Sequence, residues 1–570
     1  MKKIFLALLT VFGSLPFSFA QENCRVQDER PLKLMSAELK RSIKTFKKLN
    51  PPVYYLSYTY EDEGIQKVSV KQDAASTYHN QHNCLTVLAR AGSPKMDNTR
   101  PLKGEDNYNR TFVKTVCGEN PLALDTTAFR LDMWLVTQQI AETAQEEFSR
   151  VQTNSRTTAI RQDDADDFVV PPVSRYCHTQ EKQSYDLKKI EQMLLRASAL
   201  ARGKSFVQNS YFSFQVRQGH RYFADSSGTQ IKTPFAYARL SYSLQNQLED
   251  GTGLHRFNSY DITEESQLPS EEKLLADVKQ SLNELKQLSV APEADPITVP
   301  AILKNRAMAV FVHEILGHRL EGHRQKLDSF GRTFTSKVGQ LITAPFITIV
   351  DDATLPSFNG KPLRGFYEYD DEGVKVQPVT LVENGILRGF LMSSSPIKGF
   401  PVSNGHGRAE SGKFPVARMG NTRLIAAQTV PYETLEKQLL QEIRSQHKPY
   451  GYIIEDLSGG FTNDSTNQPQ VFKLQPDFVY RLYPDGRREV VRGVDIVGTP
   501  LVSFGAVVAA ADDYAIFNGT CGAESGSVPV SGIAPSVLLK SLEVEKTAKS
   551  ESRPPILPAP YALARGEESK

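Results

Sequence analysis

The 570-residue chain carries 67 Lys and Arg against 65 Asp and Glu, a formal charge of +2, and 40% of its residues are hydrophobic. It is long enough for two or more domains with ample cores, and its near-neutrality removes any general electrostatic case for nucleic acid or an anionic membrane surface. Function must therefore sit in local sites.

The chain opens on Met1-Lys2-Lys3, an apolar run over residues 4–17 and the short Ser18-Phe19-Ala20, the three regions of a secretory signal peptide. Cleavage after Ala20 is the expectation. The apolar run is too short to favour a membrane span, and Gln21-Glu22-Asn23 lacks the small residues that precede a lipid-modified cysteine, so a released periplasmic or extracellular protein is expected. Export bears on the five cysteines. In an oxidising compartment Cys24, Cys84, Cys117 and Cys177 would form two disulfides, with three connectivities open, and Cys521 is left over. A leftover thiol is either inert and buried or a thiolate protected by a metal it helps to bind.

In chain order, residues 31–50 show apolar positions at helical intervals and stop at Pro51-Pro52. Strand patterns follow over 53–60, 65–70 and 84–89. Two longer helical patterns cover 128–151 and 185–201. Between them the acidic run over 161–167 lacks the spacing and glycine of a calcium loop and reads as a solvated loop. Residues 205–262 alternate like a sheet, 270–288 form a helix with a Ser-Glu-Glu start, and 292–300 read as a linker. An apolar helix is expected over 301–320. Beyond it the pattern is mostly β, at 347–350, 379–382, 386–387, 472–483 and 502–508, with a hairpin turn at Asn384-Gly385. The Pro-rich tail from residue 546 is expected to be disordered. No internal repeat is visible.

The segment His313-Glu314-Ile315-Leu316-Gly317-His318-Arg319-Leu320-Glu321-Gly322-His323 concentrates metal-ligand and acid/base residues. Paired histidines beside a glutamate on an apolar helix are what a zinc peptidase uses: neutral imidazoles bind the metal and the carboxylate activates water. The spacing is unusual. Histidines five apart on a regular helix point about 140° away from each other. Convergence needs either a one-turn widening to an i→i+5 bond or a helix break near Gly317, and either leaves further ligands to be found.

At this point the chain resembles the TldD/PmbA family of zinc metallopeptidases. The HExxxHxxEG signature is matched by His313, Glu314, His318, Glu321 and Gly322; Val350-Asp351-Asp352-Ala353-Thr354-Leu355-Pro356 is similar to a VDDGTLP segment. Asp371-Glu372-Gly373, residues 381–387, residues 403–422 and Cys521-Gly522-Ala523-Glu524-Ser525-Gly526-Ser527-Val528-Pro529-Val530 follow in the family's order. The resemblance covers about residues 300–545 well and the first half loosely. It implies metal ligands at His313, His318 and Cys521, a general base at Glu314, one Zn2+ per chain, and substrates that are small or unfolded peptides. It also implies a homodimer or a heterodimer with a related non-catalytic chain; the intact HExxxH residues go with the catalytic branch. His323 stands where an acidic residue is common and is an alternative third ligand; Glu321 is a ligand or orients an imidazole. Arg408, Arg418 and Asn421 are expected to contact substrate or to serve structure. The scattered His79, His82, His178 and His406 read as ordinary residues.

The expected fold is α+β: a signal peptide over 1–20, a mixed α/β N-terminal domain over 21–296, a β-rich C-terminal catalytic domain over 297–545 bearing the HExxxH helix, and the tail over 546–570. The expected function is zinc-dependent peptide hydrolysis, with no nucleic acid partner and no stable membrane span. Two other readings stay open: a hydrolase of non-peptide amides, and an exported scaffold or partner subunit whose metal site is structural, closed by a fourth protein ligand.

Overall fold

The computed structural model describes residues 24–102, 110–118, 126–157, 163–326, 333–462 and 472–549. The expected signal peptide, residues 161–162 of the acidic loop and residues 550–570 of the tail lie outside them. The architecture is α+β, with one sheet in the N-terminal half and two principal sheets in the C-terminal half.

The first half is built on strands longer than their residue types announce. Val53–Lys71 and Ala74–Ser93 run antiparallel over almost their whole length, joined through Gln72 and Asp73, both at positive φ. Residues 61–64, which separate two of the expected strands, stay extended because the neighbouring strand pairs their charges. Glu61 meets Arg221 at 3.1 Å and Glu63 meets Arg217 at 2.6 Å, while Asp62 accepts the His220 N–H at 2.7 Å. Asn209–Asp225, Gln230–Gln247 and Gly253–Ile262 extend this sheet of eight strands. Helices Arg30–Phe46 and Thr126–Thr157 cover one part of it through Leu32, Met35, Phe129 and Met133; Leu187–Ala199 and Glu271–Val290 cover another through Leu194, Leu274 and Leu285. The Glu271–Val290 helix begins as its Ser-Glu-Glu start implies, with Ser270 Oγ accepting the Lys273 N–H. Of the three disulfide connectivities left open, the structure has Cys24–Cys177 and Cys84–Cys117, the second joining directly opposed residues of paired strands.

In the second half, Gly451–Thr462, Ile297–Leu303, Val537–Lys546, Val494–Gly498 and Phe472–Leu482 pair in that order, and the last pairs again with the first, so the sheet closes on itself. A six-stranded sheet runs Ile386–Leu387, Val379–Glu383, Ile347–Asp351, Asn421–Ala426, Gly526–Ala534 and Ala515–Ala523. The Asn384-Gly385 hairpin is present, both residues at positive φ.

Three local expectations are corrected. Strand Ile297–Leu303 takes up the end of the expected linker and the start of the expected helix. Pro300 is tolerated there because it lies opposite a register irregularity between Leu539 and Leu542, where a ladder N–H is not required. The helix therefore starts only at Asn305. Residues 502–508 form the end of a short helix, Pro500–Gly505 with Pro500 in its first turn, before strand Val507–Ala510. Helix Tyr432–Ser445, burying Leu435, Leu439 and Ile443, was not anticipated.

The two halves meet through polar contacts. His255 Nε2 lies 2.7 Å from Asp477 Oδ1, which is buried, and this bond holds the His255 pKa above its ordinary value against the opposing effect of burial. A raised folded value means that the stabilisation is complete below about pH 6.5 and is lost as pH rises through the folded value. The melting temperature of His255→Gln should thus lie about one or two degrees below wild type near pH 5.5, with the gap closing at higher pH. A gap independent of pH would remove this contact from the interface.

Candidate metal centre

Helix Asn305–Val312 sits between the two C-terminal sheets with every residue from Ala307 to Val312 buried. Phe311 packs against Phe472 and Phe504, and Ala309 presses on Gly532, where a β-carbon would come 3.0 Å from it. This apolar burial fixes the helix as the base of the site. At His313 the helix widens: His313–Gly317 is a π turn in which the His318 N–H donates to the His313 carbonyl, five residues back. A five-residue step then returns to nearly the same face. The imidazoles of His313 and His318 stand 5.1 Å apart, nearly perpendicular. The backbone does not break, because Gly317 keeps right-handed helical angles, φ −53° and ψ −57°. Gly317 serves close packing instead: a β-carbon there would fall 2.0 Å from Met419 Sδ.

The third group arrives from the far end of the sequence. Strands Ala515–Ala523 and Gly526–Ala534 form a hairpin that places Cys521 Sγ 3.2 Å from His313 Nε2 and 3.3 Å from His318 Nε2. All three residues are buried, and their donor atoms lie within 4.8 Å of one another. Tetrahedral zinc with one sulfur and two nitrogen ligands requires donor separations of about 3.5 Å, so the set fits the ion with little adjustment. Burial opposes ionisation of the Cys521 thiol, but His318 and His313 outweigh it and draw its pKa well below the ordinary value. That is the thiolate a soft metal needs. Among the described residues the two other donor groupings, His82/Cys84/Cys117 and Cys24/Glu29/Cys177, have their sulfurs committed to disulfides.

Behind the three donors lies a ring of paired charges. His318 Nδ1 is 3.3 Å from the fully buried Glu321 carboxylate, which Arg324 Nε also reaches at 2.8 Å. Burial works to raise the Glu321 pKa, yet His318 and Arg324 hold it at about 2. A carboxylate on the outer nitrogen fixes the ring and its tautomer. His323 turns to Glu524, and Arg324 Nη2 donates to the same carboxylate at 2.7 Å. Neither Glu321 nor His323 thus belongs to the three-donor group. Glu524, which the sequence reading left without a role, ties the Cys521 hairpin to the turn after His318; its position in the segment around Cys521 was the available signal.

Glu314, next to His313, is half-buried, with its Cγ close enough to Gly460 that a β-carbon there would come within 3.0 Å. Arg418, fully buried, donates to the Cys521 carbonyl at 2.7 Å and to Ser525 Oγ at 2.8 Å. Arg408 donates to the Met419 carbonyl and lies over the Tyr367 ring. Asn421 Nδ2 donates to the carbonyls of Asp352 and Leu355, and its N–H to Asp351. His406, also fully buried, sits 3.3 Å from Asp351.

His313 and His318 on the helical segment and Cys521 on the neighbouring strand thus form one buried donor set. Residues 296–546 match the PmbA/TldA metallopeptidase C-terminal domain. It is 30% identical over 253 residues to "Metalloprotease TldD homolog" of Haemophilus influenzae, covering 44% of this chain and 48% of that protein. To "Zinc metalloprotease TldD homolog" of Saccharolobus solfataricus it is 28% identical over 269 residues, 47% of this chain and 55% of the other. The chain thus spans about half the length of these curated relatives. The solved structure of TldE from Thermococcus kodakarensis shares the fold over 89% of this chain and 100% of its own, with a TM-score of 0.57 at 15% identity. Among the described residues no helix is long and apolar enough to cross a membrane.

Two substitutions separate ligand from orienting group. Cys521→Ser should lower the zinc content of the purified chain, and Glu321→Gln should keep the site but weaken zinc affinity about 10- to 100-fold in chelator competition. Full zinc occupancy in Cys521→Ser would move the third ligand elsewhere.

Proposed function

We propose that this chain is an exported zinc-dependent peptidase acting on small or unfolded peptides, with one Zn2+ held by His313, His318 and Cys521. The observation that carries this reading is the donor count. Three protein donors converge beside a carboxylate, and among the described residues the two nearby candidates for a fourth, Glu321 and His323, are engaged elsewhere. A structural zinc site is closed by four protein ligands, whereas a catalytic one keeps a position open. This speaks against the scaffold reading.

When bound, the metal supplies Lewis acidity to the attacking water and the peptide carbonyl. The chain's own residues do the rest. Glu314 takes the proton of the water as it attacks and delivers it to the departing amine nitrogen. Glu321 holds the His318 ring, and Arg418 and Glu524 hold the turn that follows Cys521. Arg408, Arg418 and Asn421 act in this reading as positioning residues, since each spends donors on the chain's own carbonyls.

The strand bearing Cys521 is the outermost of the six-stranded sheet. A peptide paired along it would bring its backbone to the centre through main-chain hydrogen bonds, a mode that reads sequence weakly. Export is supported by the basic and apolar start of the chain and by two disulfides, which suit an oxidising compartment. Assembly as a homodimer, or with a related non-catalytic chain, accords with the fold shared with TldE.

Glu314→Gln should retain zinc and lose hydrolysis of a peptide library by about 10²- to 10⁴-fold. Unchanged turnover would remove Glu314 from the chemistry. Hydrolysis of non-peptide amides alone, abolished by chelator, would replace the substrate class.

A further inference from the structure

The strand that carries Cys521 has two arginines at its outer side. Arg239, from strand Gln230–Gln247 of the N-terminal sheet, donates through Nη2 to the Asn518 carbonyl at 2.9 Å. Arg364, from the loop after the short strand Lys361–Pro362, reaches Thr520 Oγ1 at 3.3 Å and the Gly519 carbonyl at 3.4 Å through Nη1. Both meet one acid. Asp261 lies 2.7 Å from Arg239 Nη2 and 3.9 Å from Arg364 Nε.

Among the described residues two guanidinium groups thus face a single carboxylate, which leaves one positive charge unmatched, and its setting is dry. The Arg364 side chain is only 9% exposed and lies over the Tyr237 ring, 4.7 Å from its centroid. Its Nε is buried and has no hydrogen-bond acceptor among the described residues. Burial, with Arg239 beside it, holds the Arg364 pKa below its ordinary value. An uncompensated buried cation is costly and is stabilised by any anion that reaches it. Guanidinium forks match the planar carboxylate, which accepts two parallel N–H bonds.

We infer that Arg239 and Arg364 form a carboxylate-binding subsite beside the Cys521 strand, which selects peptides carrying a carboxylate near the bond to be cut. This rests on the peptidase reading above. Strand residues advance about 3.3 Å each, so a group held beside Asn518–Thr520 lies roughly one to three residues from the position opposite Cys521. Gly522, beyond the arginines, is exposed, so the edge beside Cys521 is open to a partner strand. Either an α-carboxylate or an acidic side chain supplies the required chemistry.

The test measures binding and turnover separately, on the full zinc-loaded chain. Three fluorescent alanine-rich peptides are compared: one with a free C-terminal carboxylate, its carboxamide, and the carboxamide with one internal Glu. Binding is read by anisotropy in Glu314→Gln and hydrolysis in the otherwise unaltered chain. At least one carboxylate peptide should bind about tenfold more tightly than the neutral carboxamide. Preference for the free terminus assigns the α-carboxylate; preference for the internal Glu assigns the side chain. Added to Glu314→Gln, Arg239→Gln and Arg364→Gln should each bring that ratio toward one. Arg364→Lys, which keeps the charge, covers the case in which the glutamine variant does not fold, and should retain part of the ratio. Equal affinity for all three peptides, or a ratio undiminished in Arg239→Gln, would overturn the subsite. Carboxylate-dependent binding without hydrolysis of any peptide would instead sink the peptidase reading and leave the subsite standing.

Discussion

One backbone hydrogen bond carries the centre: the His318 N–H to the His313 carbonyl, five residues back. On a regular helix these histidines would diverge by about 140° and no single ion could take both. Widening one turn exchanges a regular helical bond for a longer step, which a free helix does not favour. Here the surroundings enforce it. Ile315 and Leu316 are buried within the widened turn, Met419 presses on Gly317, and the preceding helix is wedged between two sheets. The distortion is therefore set by packing around the turn rather than by an intrinsic preference of its residues.

With the histidines in place, burial of charge dictates the rest. The thiolate of Cys521 and the carboxylate of Glu321 lie in the protein interior, where an unpaired ion is costly. Each is matched: Cys521 by the imidazoles, Glu321 by His318 and Arg324, Glu524 by His323 and Arg324. Arg324 bridges two of these acids, so the groups behind the histidine and those beside the cysteine are mechanically one unit. Arg418 completes it by fastening the Cys521 carbonyl and the following turn. The spacing of the donors is thus held from behind.

How much of this could be read from the residues alone depends on whether the signal is local. The HExxxH spacing and the widened turn are local, and so is the Asn384-Gly385 hairpin. A lone cysteine in a chain with four others that can pair drew attention to Cys521 for chemical reasons. The link between His323 and Glu524 is different: residues some two hundred positions apart have no pattern in common until the chain folds. Pro300 is of the same kind, since the irregularity that admits it within a strand belongs to a partner strand near residue 540. The continuous strand through Glu61-Asp62-Glu63 depends on arginines that arrive from residues 217 and 221. Helix Tyr432–Ser445 is another matter, because Leu435, Leu439 and Ile443 recur at helical spacing and were legible.

The N-terminal sheet gains a role from the edge it meets. An outermost strand leaves alternate N–H and C=O groups without partners and invites unwanted pairing. Arg239 and Arg364 occupy part of the outer side of Ala515–Ala523, at Asn518 and Thr520, while Gly522 beside Cys521 stays exposed. The C-terminal half thus holds the donors and Arg364, and the N-terminal half contributes Arg239 to the same edge. The donor geometry is fixed by packing within residues 305–534, so the N-terminal strands bear on the edge beside Cys521 and not on the spacing of the donors.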